Sequence, residues 1–371
     1  MINIDEYKYW PGVESLAAYA DGGLCPIHIN DKLQGGRYQI INKLGFGGYS
    51  TVWAALDHDD QCLVSIKVVK AQYSENNIEL RILEHLRDGQ KPVFIVTELL
   101  GPSTREFGKR FGLSAKIPKQ LLLAVDYLHQ QDIVHGDVHE GNVLFRIPEG
   151  FERDLEEIEQ YEVTRKDGRP LEEGIPRMLV VPHDFDLELD DEEFESFNHI
   201  QLIDFSSSFF MSNPPKTTHT VLDVSPPELV FCKSLDKKMD IWSLACTVYY
   251  LVAGDWPFDA RDDRRNIIPQ IHRVLGEADW LLAAFEDTVY EGKWDDLPQL
   301  RFSNYRDYCS LEGMLETHHI SQESGPNTKR NAAAAVISFL RRGLTVDPSN
   351  RPTTVELLKE EWMSEGLKAS K

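Results

Sequence analysis

Cysteine is scarce in this chain: five residues in 371, an odd count with no CxxC spacing. A disulfide framework and a structural zinc site are therefore not expected, and a reducing compartment fits best. Long apolar runs are missing as well. The longest, residues 244–254, is too short to cross a bilayer and reads as a buried core helix. The opening residues Met1 to Glu6 show no basic flank followed by an apolar stretch, so no signal peptide is expected. Positive charge is in deficit, with 39 Lys and Arg against 61 Asp and Glu and a formal net charge of −22. That argues against direct nucleic-acid binding, which needs a basic face. It suits basic partners or plain solubility.

What is present supports an ordered globular chain. Hydrophobic residues make up 42 % of it, enough to bury a sizeable core. Residues 1–36 are mixed and turn-rich. From residue 37 to 69 the pattern is β, with runs at 38–41, 51–53 and 62–69 separated by turns at 45–48 and 58–61. Residues 75–87 read as a helix, because Ile78, Ile82, Leu83 and Leu86 share one face. Phe94, Ile95 and Val96 read as a further strand, and helical patterns dominate from about residue 117. One stretch stands apart: residues 149–195 hold 18 Asp and Glu against 5 Lys and Arg, more than half of the net charge. It reads as an insertion, in part disordered.

Several polar groups sit where an ordinary core would not place them. Gly45-Phe46-Gly47-Gly48-Tyr49-Ser50-Thr51-Val52 lies between two predicted strands. Glycines let a backbone approach phosphate oxygens and aim N–H groups at them. A dinucleotide-binding loop should lead into a helix, and here a strand follows. Lys67 closes an apolar strand and needs a partner or a ligand phosphate. Glu79 falls on the apolar face of the predicted helix and wants a cation. His135-Gly136-Asp137-Val138-His139-Glu140-Gly141-Asn142 is a polar loop, and Asp204-Phe205-Ser206 follows 62 residues after Asn142. Pro226-Pro227-Glu228, Asp240 at the head of a long apolar helix, and Arg351 complete the set.

In this order, from about residue 37 to 363, these pieces resemble the parts of a eukaryotic protein kinase. Gly23-Leu24-Cys25-Pro26-Ile27-His28-Ile29, Gly36-Arg37-Tyr38-Gln39-Ile40-Ile41-Asn42-Lys43-Leu44, Tyr49-Ser50-Thr51-Val52-Trp53 and Glu98-Leu99-Leu100-Gly101-Pro102 are similar to the SR-protein kinase family, especially its divergent fungal-type members. The family's spacer between the catalytic loop and the metal aspartate matches the acidic stretch.

The resemblance implies an α+β, two-lobed fold, with a small antiparallel β-rich N-lobe and a larger helical C-lobe; the 18 residues from Glu79 to Thr97 leave room for one strand where the family has two, so the N-lobe reads as one strand short. The implied division is an extension over 1–36, an N-lobe over 37–98, a C-lobe over 99–363 carrying an insert at about 148–198, and a tail over 364–371. It implies transfer of the ATP γ-phosphate to a serine or threonine hydroxyl, with ATP and Mg2+ as cofactors. Asp137 would take the hydroxyl proton, Asn142 and Asp204 would hold the metal, and Lys67, held by Glu79, would contact the phosphates. Leu44, Gly45, Gly47, Gly48, Val52, Thr97, Glu98, Leu100 and Leu144 would surround the nucleotide. Glu228 would pair with Arg351, and Asp240 would brace the catalytic loop. The implied substrate is a basic Arg/Ser-rich protein, and the chain is expected to be a monomer of the cytoplasm or nucleus, without a membrane or nucleic-acid partner.

Departures from the family's pattern are specific. Gly136 stands where an arginine reads a phosphorylated activation loop. His139 replaces the lysine that contacts the γ-phosphate, Ser206 replaces a glycine, and Ser65 replaces a small apolar residue beside the adenine. Two other readings follow: a kinase-fold pseudoenzyme that holds nucleotide without efficient transfer, and a small-molecule phosphotransferase. The latter draws on the likeness of residues 135–142 to the loop of aminoglycoside and choline kinases.

Overall fold

A computed structural model describes the chain except for residues 1–2, 9, 21, 76, 87–94, 150, 152–154, 184–188, 277–309, 320–325 and 366–371. Its contacts divide it into two units. One comprises residues 1–101 with 146–197, the other residues 102–145 with 198–371.

The first unit is built on a five-stranded antiparallel sheet. Its strands are β1 (Lys32–Leu33), β2 (Tyr38–Phe46), β3 (Ser50–Asp57), β4 (Cys62–Val69) and β5 (Ile95–Glu98), paired in chain order. Alternating side chains send Tyr38, Ile40, Trp53, Ala55, Val64, Ile66 and Val68 into one core with Ile27 and Val180. Helix α1 (Ile78–Leu86) is shorter than the 75–87 read from periodicity. Asn77 stops it at the N-terminal end, accepting the Leu80 N–H at 3.1 Å through its side chain. Among the described residues a single strand, β5, lies between α1 and residue 98; Phe94, read as part of it, is outside the described residues.

The acidic insert groups by its contacts with the first unit. Its residues 155–183 are ordered, so the disorder expected of part of it does not fall there. Gln160–Glu162 and Met178–Val180 form an antiparallel pair. Val163, Ile175 and Leu179 are buried in a second core with Tyr7, Leu16, Tyr19 and Leu24 of the N-terminal segment. Charge composition missed this because the apolar residues are few and their partners lie more than a hundred residues away. Part of the acidic charge is also balanced locally. The buried Arg165 guanidinium meets Glu6 and Glu172, contacts Asp167 at 2.8 Å and lies 5.3 Å from the Tyr7 ring centre. Backbone bonds from Lys8 to Thr164 and from Lys166 to Glu6 complete the seam.

The second unit is mainly helical. Lys116–Gln130 buries Leu121, Leu122, Val125 and Leu128, and Lys238–Ala253 is apolar on almost every side and buried nearly throughout. The latter ends on Gly254 in the left-handed conformation. Gly343, in Pro326–Gly343, lets that helix approach closely: a Cβ there would stand 2.6 Å from Ala245 Cβ. No helix among the described residues is long and apolar enough to cross a membrane.

Arg37, just before β2, holds the end of β3 through Asp57, with Nη2 2.8 Å from Oδ2 and Nε 3.1 Å from both oxygens. These hydrogen bonds pull the Asp57 carboxyl from 3.8 down to about 2. A carboxyl depressed on folding stabilises the fold at pH above its unfolded value, and that contribution disappears as pH falls through the folded value. Between pH 4 and 2, Arg37→Met should therefore lose stability less steeply than the wild type, as read by denaturant midpoints at each pH.

Candidate phosphotransfer site

In the first unit the sheet register and α1 bring Lys67 and Glu79 together. Lys67 lies on β4 opposite Val52 of β3 and Ile95 of β5. Glu79 is in the first turn of α1, buried with Ile82. Lys67 Nζ is 2.8 Å from Glu79 Oε2 and 3.0 Å from Oε1, with the lysine side chain 14 % exposed and the glutamate 5 %. A buried pair of this kind loses much hydration, so it is expected where position of the charge matters more than stability. Thr97 faces Ser65 across β4 and β5. Leu100 is buried, whereas Glu98 is exposed and its side chain pairs with Arg146 at 3.0 Å.

The hairpin between β2 and β3 is closed by Gly47 N–H donating to Ser50 O at 2.9 Å. At Gly45, Gly47 and Gly48 an added Cβ would meet nothing within 4 Å, and none of the three has a positive φ. The fold itself does not demand glycine at these positions. Their bareness fits a backbone that something outside the fold approaches closely. Leu44 and Val52 flank this hairpin, both half-buried.

In the second unit, strand pairing joins segments distant in sequence. Val143–Arg146 pairs with Ile200–Leu202 so that Val143 faces Leu202 and Leu144 faces Gln201. The register carries one residue further, and Ile203 N–H donates to Asn142 O at 2.9 Å. Asn142, one of the two expected metal ligands, thereby stands opposite Ile203, the residue before the other, Asp204. Asp204 has φ of 64°, a left-handed conformation that aspartate tolerates better than most residues. Ser206 N–H donates to its Oδ1 at 3.1 Å.

Asn142 Nδ2 donates to Asp137 O at 3.0 Å and is 3.3 Å from Asp137 Oδ2. With its NH2 group so engaged, Asn142 Oδ1 is the atom left for a cation. One amide oxygen and one carboxylate suit Mg2+, a hard cation that completes its shell with phosphate oxygens and water. Among the described residues no three His, Cys, Asp or Glu gather to hold a metal by themselves.

Burial pushes the Asp137 carboxyl upward, but its interaction with the His139 imidazole prevails and leaves it below its ordinary value. It is ionised at neutral pH, and Val221 N–H donates to its Oδ1 at 3.3 Å. His139 caps a short turn, its Nδ1 accepting the Gly141 N–H at 3.1 Å. In the neutral ring the proton is then on Nε2, which lies 3.6 Å from Asp137 Oδ2. The imidazole thus steers the aspartate, a role that the comparison with a phosphate-contacting lysine did not suggest.

The support beneath this loop was legible only in part. Asp240 accepts the His135 and Gly136 N–H groups, each at 2.8 Å, as expected of a bracing carboxylate. His129 Nε2, 2.9 Å from Asp240 Oδ2, was not foreseen. Nor was His135, fully buried and held neutral by that burial, whose Nε2 meets Ile203 O at 3.1 Å while Ser208 Oγ donates to its carbonyl at 2.7 Å. A histidine two residues before an aspartate was the available signal. Glu228 and Arg351 form a buried bidentate pair at 2.8 and 3.1 Å, and the guanidinium also donates to the Thr345, Lys238 and Val346 carbonyls.

Residues 189–363 match the protein kinase domain family. That segment makes protein kinases the family to which the chain is similar. Relatives of the SR-protein kinase type are among its matches. Protein kinase dsk1 of Schizosaccharomyces pombe is 33 % identical over 168 residues, 36 % of this chain and 31 % of that protein. A serine/threonine protein kinase of Aspergillus fumigatus is 24 % identical over 397 residues, 94 % of this chain and 90 % of that one. The chain spans 31 % and 52 % of the lengths of the first two curated relatives it matches. A crystal structure of a kinase domain superposes with a TM-score of 0.62 at 18 % identity, covering 91 % of this chain and 98 % of the other, which shows the kinase fold.

Within that fold the Gly136 departure has a steric cause. Its φ is 78°, and a Cβ there would stand 2.5 Å from Ser207 O. Ser207 is itself clasped, its Oγ donating to His219 O at 2.6 Å and its carbonyl accepting from Thr218 Oγ1 at 3.1 Å. No side chain fits at 136 while that clasp stands. Gly136→Ala should lower stability by about 1–3 kcal/mol through backbone strain alone, with further loss from the displaced Ser207, measured by thermal denaturation. Glu228→Gln, which leaves Arg351 buried without its counter-charge, should cost about 3–5 kcal/mol in the same measurement.

Proposed function

We propose that this chain is an ATP- and Mg2+-dependent protein kinase that phosphorylates serine or threonine in basic, Arg/Ser-rich proteins. The observation that supports the reading is the pairing register that sets Asn142 opposite Ile203, one residue before Asp204, with Asn142 bonded to an ionised Asp137. In this reading Asp137 accepts the proton of the substrate hydroxyl as its oxygen bonds to the γ-phosphorus and the bond to the β-phosphate oxygen of ADP breaks. His139 and the Val221 N–H hold the Asp137 carboxylate in place. Asn142 Oδ1 and the Asp204 carboxylate hold magnesium, whose charge neutralises the phosphate oxygens. Lys67, fixed by Glu79, neutralises the α- and β-phosphates. Of the first unit, Thr97, Glu98, Leu100, Leu44 and Val52 would contact the base, and Gly45, Gly47 and Gly48 would cover the triphosphate.

The formal charge of −22 supports a basic peptide substrate, since complementary charge speeds encounter and excludes acidic partners. The SR-protein kinase relatives support the same substrate class and a place in the cytoplasm or nucleus. Incubated with labelled ATP, magnesium and an Arg/Ser peptide, the wild type should incorporate phosphate. Asp137→Ala, Asp204→Ala and Lys67→Met should each lower turnover by about 100-fold or more. Wild-type binding of MgATP without incorporation into any basic peptide would overturn the reading.

A further inference from the structure

Lys43, on β2 two residues before Gly45, is among the most deeply buried side chains of the protein, with none of its surface exposed. Its ammonium pairs with Glu14 of the N-terminal segment, and the other Glu14 oxygen accepts the Tyr19 hydroxyl. The same ammonium lies 5.1 Å from the centre of the Phe46 ring, in the glycine-rich hairpin, and 5.4 Å from that of Trp53. Burial lowers the Lys43 pKa and Glu14 counteracts it.

The backbone here is equally unusual. The register of β2 against β3 shifts between Ile40 and Asn42 and again between Lys43 and Gly45, so Asn42 and Lys43 sit between two irregularities. Asn42, buried, donates its side-chain NH2 to Leu155 O at 3.0 Å and Glu157 O at 2.9 Å, both in the insert. Its Oδ1 accepts the Lys43 N–H at 2.8 Å, and the Lys43 carbonyl accepts the His183 N–H of the insert at 2.7 Å. The backbone groups of Lys43 are thus satisfied outside the ladder. The N-terminal segment grips the side chain and the insert grips the main chain of the strand that leads into Gly45–Gly48. These two gripping segments share their own core of Tyr7, Leu16, Tyr19, Leu24, Val163, Ile175 and Leu179.

We propose that the N-terminal segment and the acidic insert form one clamp that positions the glycine-rich hairpin, acting through Glu14, Lys43 and Asn42 as positioning residues, and thereby sets the affinity for the ATP triphosphate. The proposal rests on the kinase reading above for its ligand, and on the contacts alone for its geometry. Severing the Glu14–Lys43–Phe46 link frees the hairpin without touching Lys67, Asp137 or the peptide side of the reaction. The effect must therefore fall on MgATP and not on peptide.

The full chain is compared with two variants. Glu14→Leu/Lys43→Met replaces both charges by apolar groups of similar volume, a change that buried pairs often tolerate. Tyr19→Phe removes one donor to Glu14 and keeps the ring. Hydrogen exchange of the amides 45–50, calorimetric titration with MgATP, and KM for MgATP and for an Arg/Ser peptide are the readouts. The double variant should exchange faster in the hairpin and bind MgATP about tenfold more weakly with peptide KM unchanged, since misplacement of a binding element costs of this order. Tyr19→Phe should show the same pattern at about two- to threefold. Unchanged hairpin exchange in both variants, or equal loss toward MgATP and peptide, would overturn the clamp. A wild type that binds no MgATP would instead overturn the kinase reading, and hairpin exchange in the variants would still decide whether the clamp exists.

Discussion

The Asp240 carboxylate is the constraint on which the second unit's chemistry depends. It sits in the first turn of a helix buried nearly throughout, and it takes two backbone N–H groups from the loop that bears Asp137. Those donors belong to His135 and Gly136, whose conformation no regular ladder would satisfy. A buried carboxylate with charge-assisted bonds to otherwise orphaned amides is among the stronger devices a protein has for fixing a loop. From that anchor the rest follows in short steps. His135 reaches Ile203, Ile203 reaches Asn142, and Asn142 reaches Asp137. The loop and the strand before Asp204 are therefore one hydrogen-bonded body.

The first unit uses buried cations in two different ways. Lys67 is partly accessible and held by Glu79, which keeps its charge available at a fixed place. Lys43 is sealed, and its charge serves the protein's own architecture through Glu14 and two aromatic rings. Both lie on neighbouring parts of one sheet. Desolvation weighs on each, and a carboxylate partner makes each tolerable. The difference in exposure separates an accessible charge from a sealed one.

The motifs were legible because phosphoryl transfer demands particular residue types at particular spacings. Lys67, Glu79, Asp137, Asn142 and Asp204 could be singled out by asking which polar groups an apolar strand, helix or loop would not otherwise carry. Strands β2 to β4 followed from periodicity. Misreadings arose where the deciding partner was remote. The insert was read as disordered in part because its charge dominates its composition, while its few apolar residues pack on a segment near residue 20. His139 was matched to a lysine by position, and only the Gly141 N–H bond shows which of its nitrogens faces Asp137.

The amino-acid sequence by itself carried the resemblance to protein kinases, the set of ionisable groups and the sheet-then-helix order, because these depend on local pattern and residue chemistry. Tertiary structure alone decided why residue 136 must be glycine, where the insert belongs and what surrounds Lys43. Each of those rests on a contact between atoms far apart in the chain: Gly136 with Ser207 O, the insert with the first thirty residues, Lys43 with Glu14. Local propensity carries no record of such contacts, since the groups meet only once the backbone has folded.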